Sequence, residues 1–228
     1  MGAFFVIIVI AAVVGGFVIS KNMAAKKLAL LESTAQAAGL QFSDSDDNQY
    51  DALGLSLFTK GDKRSWNHAM WMPANPTGAR VFEYEYTTYS TDSKGNRTSS
   101  TTHHTVTLFD VNANCANLTI GPENIATRFA DHVGMRDIEF ESEEFNRAFN
   151  VKCPDRQFAS ALCDAQMMQW LMDHGRPIHF ELHGGFGVAY TGRLKPGELP
   201  GLLTLGQQFR AAIPTVVTSL FPRSAQQS

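Results

Sequence analysis

Arg80 to Tyr89 reads RVFEYEYTTY. Phe82, Tyr84 and Tyr86 fall on one face of an extended chain, and Val81, Glu83, Glu85 and Thr87 fall on the other. Aromatic and β-branched residues at a period of two read as a strand. Lys94-Gly95-Asn96 then supplies turn residues, and Thr98 to Phe109 returns with Val106 and Leu108 apolar. The Ser/Thr run from Ser99 to Thr102 suits exposed strand ends. The two segments predict a long β-hairpin, and with it an antiparallel sheet.

Working outward from the hairpin, Ser65 to Met72 reads as a further strand upstream. Downstream, Leu118 to Ile120 reads as a short strand before Gly121-Pro122, and Asp137 to Glu141 alternates with Ile138 and Phe140 inward. Pro177 to His183 and Gly187 to Thr191 form an expected second hairpin around Gly184-Gly185. Helices are expected over Glu123 to Phe129, after a Ser142 N-cap followed by Glu143 and Glu144, over Pro154 to His174, and over Leu199 to Ile213 before Pro214. The stripe of the third is Phe158, Leu162, Ala165, Met168 and Met172, and that of the last is Leu202, Phe209 and Ile213. The class is α+β: an antiparallel β-sheet domain packed with two or three helices.

Ala3 to Ile19 reads AFFVIIVIAAVVGGFVI without a charged residue. At ~1.5 Å per residue the stretch covers about 26 Å, close to the hydrocarbon thickness of a bilayer, so it is read as a transmembrane helix. A cleaved signal peptide carries a basic n-region, and none precedes this run. Lys21, Lys26 and Lys27 follow the run instead, which puts the N-terminus outside and the remaining chain in the cytoplasm of a single-pass membrane protein. The expected division is a transmembrane helix over 1–20, a juxtamembrane helix over 21–39 with Leu28, Leu31 and Ala35 on one face, a soluble α+β domain over 40–222, and a flexible tail over 223–228. The lysines of the juxtamembrane helix are placed to rest on anionic headgroups.

Hydrophobic content is 44% and aromatic content 11%, enough for a packed core in a chain of 228 residues. Net charge is −3 and the pI near 6.1, which supplies no drive toward nucleic acid. Cys115, Cys153 and Cys163 form no CxxC pair and are an odd number, so they read as small core side chains in a reducing compartment.

Specific chemistries fail one by one. Asp44, Asp46 and Asn48 start a calcium-loop pattern, but the turn glycine falls on Gln49 and the glutamate on Leu55. Gly185-Phe186-Gly187 lacks the third glycine of a dinucleotide loop, where Tyr190 stands. His179 and His183 are four apart on an expected strand, about 13 Å, too far to share an ion, and His103 and His104 face opposite ways. Glu83 and Glu85 share a strand face about 7 Å apart, near the spacing of a glycosidase pair. Their preferred reading is the solvated side of the hairpin. Catalytic, cofactor-binding and metal-binding residues are therefore all assigned as none.

The segment Phe140-Glu141-Ser142-Glu143-Glu144-Phe145-Asn146-Arg147-Ala148-Phe149-Asn150-Val151, with Met167-Met168-Gln169-Trp170-Leu171, Gly184-Gly185 and the Phe82 to Tyr86 strand, resembles a family of uncharacterised bacterial membrane proteins common in actinobacteria. The resemblance implies one N-terminal helix, a basic juxtamembrane helix and an α+β domain of unknown function. This chain departs from the family pattern at Ala148, where a second arginine is common, and at Cys163-Asp164-Ala165-Gln166, where a Thr-Pro-Arg segment is usual. The resemblance carries no catalytic residues.

The leading expectation is a non-enzymatic interaction protein tethered to the lipid bilayer, an accessory subunit of a larger membrane complex such as a respiratory one, with membrane or cytoplasmic proteins as partners. One alternative is a membrane-bound hydrolase using the carboxylates of Glu139, Glu141, Glu143 and Glu144 with His103 or His132. The other is a lipid- or ligand-binding domain with an apolar pocket lined by Phe and Met.

Overall fold

The expected hairpin is the centre of the sheet. The computed structural model describes residues 21–46, 48–74, 78–123 and 136–223. The apolar stretch read as a span, most of the helix expected over Glu123 to Phe129, His132 and the last five residues lie outside them. Among the described residues no helix is long and apolar enough to cross a membrane. Strand β3 (Arg80–Thr91) pairs antiparallel with β4 (Arg97–Pro122) from Arg80 opposite Leu108 to Thr91 opposite Arg97. The turn between them closes on Asp92, whose carboxylate accepts the backbone N–H groups of Lys94 and Asn96, while Gly95 takes φ +82°.

Two expectations about β4 and its partner are corrected. Leu118 to Ile120 is not a separate strand but the far end of β4, which runs 26 residues. The hairpin around Gly184-Gly185 does not form, because one strand, β7 (His179–Gly192), lies along β4 from His104 opposite Gly192 to Ile120 opposite Phe180. Both halves of β7 find their backbone partners on β4, so they need none from each other. The glycines serve a bend: Gly184, at φ +54°, sits opposite Cys115 between two register irregularities.

Strand β2 (Lys63–Trp71) pairs with β3, and β1 (Gln41–Ser45) with β2. At the other end β6 (Phe149–Cys153) pairs with β4, and β5 (Arg136–Asp137) with β6. Every pairing is antiparallel, in the order β1-β2-β3-β4-β6-β5, with β7 also on β4. The strand expected over Asp137 to Glu141 shrinks to β5, although Ile138 and Phe140 still pack against the core.

The two faces of the sheet are covered differently. On one lie α1 (residues 21–37), α2 (Glu143–Ala148), α3 (Arg156–Leu162), α4 (Ala165–His174), α5 (Leu199–Ala212) and α6 (Thr215–Leu220). Their core includes Leu31, Ala35, Val81, Phe109, Leu118, Phe158, Leu171, Phe180 and Phe209. The other face presents Phe82, Tyr84, Val106, Leu108 and Val188 to a layer of two 3₁₀ turns, Tyr50–Leu53 and Ser56–Thr59. Leu55, Leu57 and Phe58 of that layer are fully buried, and the buried carboxylate of Glu181 pins it by accepting the backbone N–H groups of Ser56 and Leu57. No element was expected there.

Among the described residues five α-helices, α2 to α6, thus belong to the sheet domain rather than two or three, besides α1, which was expected separately. The helix expected over Pro154 to His174 is two, α3 and α4. Asp155 caps the first by accepting from the Phe158 N–H at 3.0 Å, and Asp164 caps the second through the Met167 N–H at 2.8 Å. The break rotates the buried stripe. Phe158 and Leu162 keep their places, but Met167 and Leu171 are buried where Ala165, Met168 and Met172 were expected. Ser142 caps α2 as expected, accepting from the Phe145 N–H. All three cysteines are free and buried.

Candidate functional site

Glu83 is the residue around which charged side chains converge. It stands on the helix-covered face of β3, and only 7% of it is exposed. The sequence places it with Glu85 on a solvated side of the hairpin; for Glu83 the structure overturns that reading. A buried carboxylate is costly unless paired, and Glu83 is paired from three elements. The Lys27 ammonium on α1 lies 2.6 Å from Oε2, the His68 Nδ1 on β2 lies 3.1 Å from the same oxygen, and the Arg193 guanidinium just after β7 lies 3.9 Å away. Oε1 is buried without a hydrogen-bond partner, and Glu83 lines a small cavity of about 100 Å³ together with Lys27, His68, His103 and Arg193.

A backbone irregularity aims His68. Asn67 is opposite Glu83 and Met70 opposite Val81, so His68 and Ala69 together face Phe82 alone. This is a β-bulge. At the bulge His68 takes φ +57°, in the left-handed region, where histidine is tolerated better than most residues. The bulge puts Asn67 and His68 consecutively on the helix-covered side and returns Ala69 to the other. His68 Nε2 then meets the Asp44 carboxylate of β1 at 3.2 Å.

Burial pushes the Glu83 carboxyl toward the neutral form, but the bonds and charges of His68 and Lys27 outweigh it and hold the pKa down at about 2. The group is therefore an anion at any physiological pH. Two residues on, Glu85 is far more open and binds the Ser65 hydroxyl and His103 Nδ1, each at 3.1 Å. The Glu83 arrangement is a clamp that holds α1, β1, β2, β3 and the end of β7 together.

The other sequence-flagged residues are scattered. Glu139, Glu141, Glu143 and Glu144 are all exposed, and His103 is paired with Glu85 instead of with any of them. His104 points to the opposite face, between Tyr86 and Tyr190. Arg147 donates to the Glu143 backbone carbonyl within α2. Asp46, from the failed calcium loop, is buried against Tyr50 and Arg80. Among the described residues no group of three or more His, Cys, Asp or Glu side chains is arranged to hold a metal ion. Phe58, Phe82, Phe109, Phe145, Phe158, Phe209 and Met70 are fully buried in the cores. Burial pushes the Cys115 thiol up to about 12 and raises Cys153 and Cys163 as well, which makes all three poor nucleophiles. Lys27 too is corrected: its ammonium turns inward to Glu83, leaving Lys21 and Lys26 as the exposed lysines of α1.

No protein-family model matches the chain, and no curated protein matches it. Among solved structures, the crystal structure of the mycobacterial trehalose monomycolate transport factor A, TtfA, is similar, with a TM-score of 0.58 at 10% identity. The match covers 87% of this chain and 98% of that one. At that identity the likeness is one of fold.

Proposed function

We propose that the chain is a membrane-tethered, non-enzymatic docking module, an accessory component of a membrane complex, with residues 3–19 in the bilayer and the sheet domain on the cytoplasmic side. The observation that carries this reading is how α1 enters the domain. It follows the apolar stretch directly, Lys27 is bonded to a buried carboxylate, and Leu31 and Ala35 are packed into the core. A loose tether lets a domain tumble; a helix fixed at three points sets its orientation. A docking module gains from that, because fewer rotational states are lost when a partner binds. The exposed Lys21 and Lys26 support the cytoplasmic placement.

The fold likeness supports the same reading, since that neighbour is a transport factor. An accessory role beside a membrane transporter or complex is part of the proposal, and the neighbour's cargo is not carried over. Membership of the actinobacterial family suggested by the Phe140 to Val151 segment belongs to the proposal too.

Purification of the full chain through a C-terminal tag in mild detergent tests the reading. Stoichiometric co-purification of a membrane protein is expected, and its loss on Lys27→Glu with the chain still in the membrane fraction ties docking to the clamp. A lone monomer from the unaltered chain overturns the proposal. For topology, Ser228→Cys is labelled on intact cells with an impermeant maleimide; the three native thiols are buried and stay silent. Protection until lysis is expected, and labelling of intact cells overturns the cytoplasmic placement.

A further inference from the structure

On the face of the sheet away from α1, aromatic and imidazole rings form the floor of a bay. His179 and Tyr190, eleven residues apart on the bent β7, stack with centroids at 5.2 Å. His104 meets the Tyr190 ring edge-on at 5.4 Å. Beside this floor is a cavity of about 140 Å³. Lys60, which ends the Ser56–Thr59 turn, lines it together with Lys152 of β6.

The charges in the bay are unbalanced. Lys60 is half-buried and has no hydrogen bond or ion pair among the described residues. The Lys152 side chain is 17% exposed, and its ion pair, to Asp137, is long at 3.8 Å with a carboxylate 62% exposed. A pair of that kind is weak in water. Glu181, the acidic group inside the nearby core, is already bonded to the Ser56 and Leu57 backbone. Thr119 and Asn150 add side-chain hydrogen-bonding groups to the wall. Gly121 completes it: a Cβ there would come within 2.7 Å of His179 Nδ1, so any side chain would displace the ring. Burial lowers the pKa values of His104 and His179, and the Lys60 charge pushes the same way, so neither imidazole adds positive charge at neutral pH. The positive charge resides in the two ammonium groups.

We propose that this bay binds a phosphate-sized oxyanion between Lys60 and Lys152, with Asn150 and Thr119 as neutral partners and the His179–Tyr190 stack as a floor for any planar group attached to it. A phosphate monoester supplies this chemistry either from a water-borne metabolite or from a lipid headgroup. The site is independent of the Glu83 clamp, which lies on the opposite face.

The test is calorimetric titration of the full chain in a phosphate-free, non-ionic detergent with inorganic phosphate. Saturable binding is expected, with Lys60→Gln and Lys152→Gln each weakening it about tenfold, the loss of one charge-assisted hydrogen bond. Lys94→Gln, at the exposed hairpin turn, leaves it unchanged. Thermal melts of both lysine variants, expected to match the unaltered chain, separate loss of the site from loss of the fold. Non-saturable binding, or equal affinity in the lysine variants, overturns the proposal. Flotation with phosphatidylcholine vesicles carrying phosphatidic acid assigns the source. Association that falls with Lys60→Gln and is competed by phosphate marks a headgroup; association untouched by that variant, with lysine-dependent phosphate binding intact, marks a water-borne ligand.

Discussion

The root and the tip of the β3–β4 hairpin share one alternating pattern and one continuous register, yet they are opposite environments. At the root Phe82 and Glu83 lie under the 3₁₀ layer and α1 respectively, and both are buried. At the tip Tyr89 pairs with Ser99, Ser90 with Thr98, and neither face is covered; Tyr89 is 55% exposed. Glu83 and Glu85 mark the crossing point. They are the same residue type on the same face two positions apart, and only the first lies beneath Lys27. Alternation says which side a residue faces, and coverage by another element says what that side meets.

The comparison breaks most visibly at Phe82, fully buried and stacked on Tyr50 at 4.9 Å. Phe82→Ala is expected to cost about 3–5 kcal/mol in urea unfolding. Glu83→Gln comes next, at roughly 3 kcal/mol, because it leaves Lys27 facing a neutral amide. The double variant Lys27→Met/Glu83→Met should recover part of that loss, since it removes the unmatched ammonium while His68 and Arg193 still lose their carboxylate partner. If the double variant is as unstable as the single one, the clamp acts through something other than its paired charges.

Acid sharpens the contrast. The Glu83 pKa is depressed in the fold, from an ordinary 4.5 to about 2. Its stabilisation is complete above about pH 4.5 and is lost as pH falls toward 2. Unfolding free energy measured across that window should therefore slope more steeply in the unaltered chain than in Glu83→Gln. Smallest of all, Glu85→Gln and Tyr89→Ser should each change stability by less than about 1 kcal/mol, because their side chains stay in water. Amide exchange at residues 88–91 should be much faster than at residues 81–84. Equal protection at both ends would mean that the tip is covered in solution.

Much of the architecture was legible because it rests on local signals. The β3–β4 hairpin, the Ser142 cap, the ends of α5 and the position of β2 depend on alternation, turn residues and capping chemistry that act within a few residues. The misreadings arose where a partner came from far away. Gly184-Gly185 looks like a hairpin turn until β4 is seen to pair with both halves of β7. The break between α3 and α4 had a signal, Asp164 three residues before Met167, but an aspartate inside an apolar-periodic run reads equally well as a surface position. The Glu83 clamp had none, since its partners lie 56 residues upstream on α1, 15 upstream in a bulge and 110 downstream after β7.

By itself, then, the sequence determined an antiparallel α+β domain, the hairpin at its centre, and the failure of calcium-loop and dinucleotide patterns, because these follow from periodicity and spacing along one chain. Only the tertiary structure decided that one glutamate of a pair is buried and clamped, that a turn-rich segment roofs the second face, and that two lysines line one cavity with a histidine and a tyrosine. Each of those depends on which surfaces are brought within a few ångströms of one another, and no local preference encodes that distance.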